Sequence, residues 1–170
     1  MTPTLHTDRL LLDPYVPEDE EGFVALFQDE RVSRWMGDGP AAEAEDRELF
    51  GRIFAKVYAR DLFAVWAVRR EGALVGHAEI KPTEVSGGQE IVYALAADAW
   101  GQGLGTDLVQ ALVAHGFGTL GLAEVHATVA APNTVSLGLL RKAGFEHVRD
   151  ISEDDGSTTV LLTRRRPAVG

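Results

Sequence analysis

Gly101, Gly103 and Gly105 stand at alternate positions in Trp100-Gly101-Gln102-Gly103-Leu104-Gly105-Thr106, after a strand-like run (Ile91 to Leu95) and opening a helix-like one (Thr106 to Phe117). Backbone without side chains lets main-chain N–H groups approach an anion, and a helix start adds the positive end of its dipole. The chemistry this suits is the holding of a pyrophosphate, and a side chain at Gly103 or Gly105 would fill the phosphate path. Two common nucleotide fingerprints are absent. The sixth position of a Gly-x-Gly-x-x-Gly pattern is Thr106 counted from Gly101 and Leu108 counted from Gly103, and no lysine is present for a Walker loop. A tight strand-to-helix connection that uses glycine for positive φ accounts for the same residues without a ligand.

A second segment, Asn133-Thr134-Val135-Ser136, begins a short helix that ends in Lys142-Ala143-Gly144-Phe145. Asn133 after Pro132 reads as a helix N-cap, and Gly144 as the left-handed residue that closes the helix. Two carboxylates on neighbouring predicted strands, Glu79 and Glu90, could each serve as a general base, with Glu90 preferred because it precedes the strand that enters the glycine loop. Each also reads as an ordinary strand-surface carboxylate. His77 and His126 lie on strands without metal-ligand spacing and read as partly buried histidines, so no metal is assigned. With no cysteine in the chain, a thiol acyl-enzyme, a disulfide and a thiolate metal site are all excluded.

These groups sit in a chain of 170 residues, 45% hydrophobic, which fits a single domain spanning 1–170. The formal charge of −10 argues against a protein that tracks a nucleic-acid backbone and would attract a cationic substrate, although an acidic surface also serves solubility. Arg164-Arg165-Arg166 reads as a loose end or as a contact for a ligand phosphate. Met1 to Thr7 lacks a basic stretch followed by an apolar one, and no run approaches about 18 apolar residues. A cytoplasmic protein with no membrane partner is the expectation.

The elements that must position the site follow from periodicity. Arg9 to Asp13 is a strand ended by Pro14, and a helix from Pro17 carries Phe23, Leu26 and Phe27 on one face. A brief helix at Val32 to Met36 and a longer one over Ala41 to Tyr58 come next. Strands are predicted over Leu62 to Arg69, Ala73 to Lys81 and Gln89 to Leu95, followed by the helix after the glycine loop. Then come a strand (Ala123 to Ala130), a helix (Thr134 to Lys142) and two strands (Phe145 to Ile151 and Thr158 to Arg164). This α+β order implies a single mixed, largely antiparallel sheet of about seven strands with helices on both faces.

With both segments in this order, the sequence resembles the GNAT superfamily of acyl-CoA N-acyltransferases. It is more closely similar to the subgroup that acetylates N-termini of ribosomal proteins, the RimJ/RimL type. The resemblance runs from Thr7-Asp8-Arg9-Leu10-Leu11-Leu12 to the Asp155-Gly156 hairpin tip. It implies that main-chain groups of Trp100, Gly101, Gln102, Gly103, Leu104, Gly105 and Thr106 hold the pyrophosphate of acetyl-CoA. It implies also that the strand edge at Tyr93, Leu95 and Ala97 meets the pantetheine arm, where that strand splays from Val125 to Val129. Asn133 would meet the same arm, and Ser136 would protonate or hydrogen-bond the departing thiolate. The implied activity is acetyl transfer to a primary amine by direct attack in a ternary complex. The acceptor would be a protein N-terminus, whose α-amine titrates near pH 8 and loses its proton readily, or a small cationic amine such as a polyamine or an aminoglycoside. A non-catalytic acyl-CoA-binding module is the alternative of a different class, and dimers are common in the subgroup. The pattern departs at Val92, Ala94 and Ala97, and Leu139 and Leu140 stand where many members carry a tyrosine.

Overall fold

A computed structural model describes residues 1–168, so the last two positions of the domain expected over 1–170 lie outside the described residues. Eight strands form one sheet: β1 (Leu5–His6), β2 (Leu11–Asp13), β3 (Ala64–Arg70), β4 (Ala73–Pro82), β5 (Gln89–Leu95), β6 (Glu124–Ala130), β7 (Glu146–Ser152) and β8 (Thr158–Arg165). They lie in the order β1-β2-β3-β4-β5-β6-β8-β7, and every neighbouring pair is antiparallel except β5 and β6. The sheet therefore has one strand more than expected, because Leu5 and His6 pair back onto Leu12 and Leu11. The strand expected from Arg9 begins only at Leu11. The Thr7 hydroxyl accepts from the N–H groups of Arg9 and Leu10, which bends Thr7–Leu10 into a hairpin turn with Arg9 at its tip.

Strand alternation sorts the side chains onto two faces. Trp66 and Val68 of β3, Ala78 and Ile80 of β4, Ile91 and Leu95 of β5, and Val125, Ala127 and Val129 of β6 share one buried cluster. Helices α4 (Leu104–Gly118) and α5 (Thr134–Lys142) cover it with Leu108, Leu112, Leu137 and Leu140. On the opposite face Val65 and Ala67 meet Phe23 of α1 (Glu20–Gln28) and Phe50 of α3 (Glu43–Arg52). The short α2 (Glu30–Ser33) starts earlier than expected, because the Asp29 side chain accepts from the Arg31 N–H and caps it. The helix expected over Ala41 to Tyr58 changes at Ile53 to a π-helical turn, Ile53–Tyr58, which carries the Tyr58 hydroxyl to the Val65 carbonyl at 2.7 Å.

The C-terminal arginines are not a loose end. Arg164 lies within β8 and donates to the Ala143 carbonyl at 2.7 Å and to Gln110 Oε1 at 2.8 Å, so it ties β8 to the end of α5 and to α4. Gly144 has φ 92°, and the bonds Gly144 N–H to Arg141 O and Phe145 N–H to Leu140 O close α5 in a Schellman arrangement.

Candidate functional site

The glycine loop joins β5 to α4 through a short 3-10 turn, Ala97–Ala99. Trp100 Nε1–H donates to the Leu95 carbonyl at 2.8 Å and so draws the loop's start against the end of β5. Gly101 and Gly103 have φ of 74° and 77°, which a side chain rarely tolerates. Gly103 is the N-cap of α4 and offers no side-chain cap. Among the described residues, no acceptor meets the N–H groups of Gly101, Gln102, Gly103, Leu104, Gly105 or Thr106; Asp107 is the first with a partner, Gly103 O at 3.3 Å. Free amides at a helix start are what an anion needs. Gly105 has a further reason for its identity. A Cβ there would stand 2.5 Å from Leu139 Cδ1, so the missing side chain also lets α5 pack against α4.

The loop stands at the open end of a wedge. β5 and β6 run parallel yet share one register pair, Glu90 with His126, close to where both strands begin. Beyond it towards Leu95 and Ala130 no ladder joins them, which leaves main-chain groups in the middle of the sheet for another partner.

On the α4–α5 side of this wedge, Tyr93 Oη and Ser136 Oγ are 2.6 Å apart. Burial pushes the Tyr93 phenol up, which keeps its proton in place, while its bond to Ser136 lowers it in part. Asn133 Oδ1 accepts from Ser136 N–H at 3.3 Å, so Asn133 caps α5 as its type predicts and holds Ser136 in the first turn. A tyrosine hydroxyl therefore reaches Ser136 from β5, although α5 carries leucines at 139 and 140. The sequence places Tyr93 only against the cofactor arm; the pairing, 43 positions apart, has no local signal.

The other side of the wedge carries the carboxylates. In β4 and β5 the pairs Glu79 with Val92 and Lys81 with Glu90 face α1 and α3, opposite to Tyr93. Glu90 Oε2 accepts from Thr128 Oγ1 at 3.4 Å across the root of the wedge. Burial raises the Glu90 carboxyl above its usual range, against the pull of Lys81, Thr128 and Thr83. Burial alone would raise Glu79 as well, but the hydrogen bond and charge of His77, with Lys81, outweigh it and leave Glu79 below its usual value. His77 Nε2 lies 2.7 Å from Glu79 Oε2, and His77 Nδ1 2.7 Å from Tyr15 Oη. Burial holds the Tyr15 phenol well up, so the His77 ring lies between a neutral hydroxyl at Nδ1 and the Glu79 carboxylate at Nε2. Phe23 and Phe27 enclose the ring edge-on. His77 and His126, expected to be partly buried, are both fully buried, at 4% exposure each. Among the described residues no three His, Asp or Glu side chains gather as a metal site.

The GNAT acetyltransferase domain family matches residues 9–146, which takes in the wedge, the glycine loop and α5. The chain belongs to the GNAT acetyltransferase family. Like other GNAT enzymes it is an acyl-CoA-dependent acetyltransferase. It is 29% identical over 152 residues to YoaA of Bacillus subtilis, described as an uncharacterized N-acetyltransferase, covering 86% of this chain and 84% of that one. Its fold is similar to that of a GNAT acetyltransferase from Bacillus anthracis, with a TM-score of 0.82, 19% identity, and coverage of 96% and 98% of the two chains. It is also similar in fold to RimL, a ribosomal L7/L12 alpha-N-protein acetyltransferase in complex with coenzyme A, with a TM-score of 0.79, 14% identity, and coverage of 96% and 98%. The GNAT fold accounts for the mixed sheet and the helices on both its faces. The residues present fit coenzyme A on this chain's own geometry: free amides and two left-handed glycines suit a diphosphate, and the unpaired strand edges suit the amides of an extended arm. No helix among the described residues is long and apolar enough to cross a membrane.

Proposed function

We propose that this GNAT enzyme acetylates a primary amine, with the α-amine of a polypeptide as its acceptor, in the manner of the RimJ/RimL subgroup. The observation that carries the reading is the division of groups across the wedge. A neutral hydroxyl pair, Tyr93 and Ser136, lies on one side and two carboxylates on the other, with the free amides of the glycine loop at its open end. Acetyl-CoA, held by Gly101 to Thr106 and the edge of β5, supplies the acetyl group as a thioester.

The chain's own residues provide the rest. Glu90 accepts the proton of the incoming amine, directly or through a water, and its raised affinity for protons makes it the better base of the two carboxylates. Glu79, oriented by His77, adds negative charge that favours a cationic acceptor. Tyr93 Oη–H donates to Ser136 Oγ, which frees the serine hydroxyl proton for the sulfur that leaves. An α-amine near pH 8 needs only a carboxylate to lose its proton, whereas a lysine amine demands more.

The test is release of free thiol from acetyl-CoA with a panel of amines: N-terminal peptides, polyamines and aminoglycosides. Turnover with peptides is expected. Turnover confined to polyamines or aminoglycosides would move the acceptor to the small cationic class, and saturable coenzyme A binding without thiol release from any amine would leave a binding module. Wild-type kcat/KM is expected to fall about tenfold per pH unit below the Glu90 pKa, since a base must be deprotonated to act. Glu90→Gln removes that limb. Because a carboxyl raised in the folded state loses stability as pH rises through its unfolded and then its folded value, the same substitution is expected to stabilise the fold at pH 7.

A further inference from the structure

Arg9 lies far from the wedge in sequence and outside the groups described above, yet its guanidinium spans the back of the glycine loop. Nη1 donates to the Gln102 carbonyl at 2.5 Å, and Nε and Nη2 each lie 2.8 Å from Asp107 Oδ2. A Cβ at Gly103 would come within 3.1 Å of Nη2, so the arginine is seated directly against the left-handed residue. The hairpin turn Thr7–Leu10, held by the Thr7 hydroxyl, presents it there. Arg70, beside the β3–β4 turn, donates to Gln102 Oε1 at 2.6 Å, and Gln102 Nε2 donates to the Asp98 carbonyl at 3.0 Å. The Gln102 residue is thus held at both its main chain and its side chain.

Two physical consequences follow. In a planar trans peptide the C=O and the next N–H point in opposite directions. A Gln102 carbonyl drawn towards Arg9 therefore turns the Gly103 N–H away from it, to the side where that amide meets no protein acceptor. Second, Asp107 in the first turn of α4 favours the helix dipole but would repel a diphosphate bound at the same helix start. Arg9 sets a cation against that carboxylate.

We propose that Arg9 is a positioning residue for coenzyme A: it aims the Gly103 N–H at the diphosphate and offsets the charge of Asp107, without touching the ligand itself. This rests on the reading of the glycine loop as the diphosphate site, and the experiment separates the two. Isothermal titration of the whole chain with coenzyme A, and with pantetheine, which lacks the diphosphate, gives the reference discrimination; KM for acetyl-CoA and for S-acetylpantetheine gives the kinetic counterpart. Arg9→Met is expected to raise the Kd for coenzyme A at least about tenfold and to move the KM for S-acetylpantetheine less than about twofold. Arg9→Lys, which keeps the charge but not the fork, is expected to recover part of the loss. Asp107→Asn, which removes the repelling carboxylate and leaves Arg9 on the Gln102 carbonyl, is expected to lower the Kd for coenzyme A by about threefold or less. Should Arg9→Met fail to fold, Arg9→Lys carries the test by the same selective loss for coenzyme A, and an Arg9→Lys protein that binds coenzyme A as wild type does overturns the role. A folded Arg9→Met protein whose Kd for coenzyme A stays within twofold of wild type, or which loses both donors equally, overturns the role of Arg9. A wild-type protein that binds coenzyme A no better than pantetheine overturns the diphosphate site itself, and the role of Arg9 with it.

Discussion

Two helices begin beside the same wedge, and their first turns are built in opposite ways. α5 starts at an asparagine whose own side chain accepts from Ser136 N–H. α4 starts at a glycine with φ 77°, no side-chain cap, and a run of N–H groups that no acceptor among the described residues meets. A glycine at the N-cap forgoes only a few tenths of a kcal/mol against an Asn, Asp or Ser, so leaving this start open costs the fold little. The contrast teaches that a missing cap carries information: where the chain caps one helix and leaves its neighbour open, the open one is available to a ligand, and the capped one is free to hold a side chain in place for chemistry.

Three substitutions sharpen or break this contrast. The largest effect is expected from Ser136→Ala, which removes the hydroxyl that α5 presents. Turnover should fall about a hundredfold, the scale of a lost general acid, with the Kd for coenzyme A within twofold of wild type. A loss in affinity as large as the loss in turnover would mean that α5 grips the ligand as α4 does, and the contrast would fail. Next is Gly103→Val. A branched residue forced into the left-handed region costs roughly 1–2 kcal/mol, so the loop is expected to relax out of its present shape and lose its aligned amides. At about 1.4 kcal/mol per tenfold, the Kd for coenzyme A should rise tenfold or more by calorimetry. The smallest is Asn133→Ala, expected to cost about 1 kcal/mol in denaturant unfolding and to lower the melting temperature by roughly 2–4 °C. A much larger loss of coenzyme A affinity in that variant would give Asn133 a second role, at the pantetheine arm.

The elements that frame the site were legible because they are written locally. β5 and α5 have the boundaries that apolar periodicity, Pro132-Asn133 and Gly144 predict, and the glycine loop announces itself by composition. The remainder depends on contacts between distant positions. Arg9 meets Asp107 across 98 residues, and Tyr15 meets His77 across 62. No period or cap signals such a pair, and Arg9 reads in sequence as the start of a strand when it is the tip of a turn. The π-helical turn at Ile53–Tyr58 shows the same limit, since a helical stripe of Ile53, Phe54 and Val57 does not distinguish one helical pitch from another. Leu139 fills the space that Gly105 leaves, a packing relation that appears only once α4 and α5 are side by side.

The single rung between β5 and β6 has a mechanical consequence. Five strands and three strands are hinged at their shared base like the covers of a half-opened book, with main-chain groups of two interior strands left without a ladder partner along the gutter. A guest whose amides bridge that gutter would serve as a temporary spine, coupling the two covers. Amide hydrogens around Tyr93 and Val129 would then exchange slowly when the guest is present and quickly when it is gone.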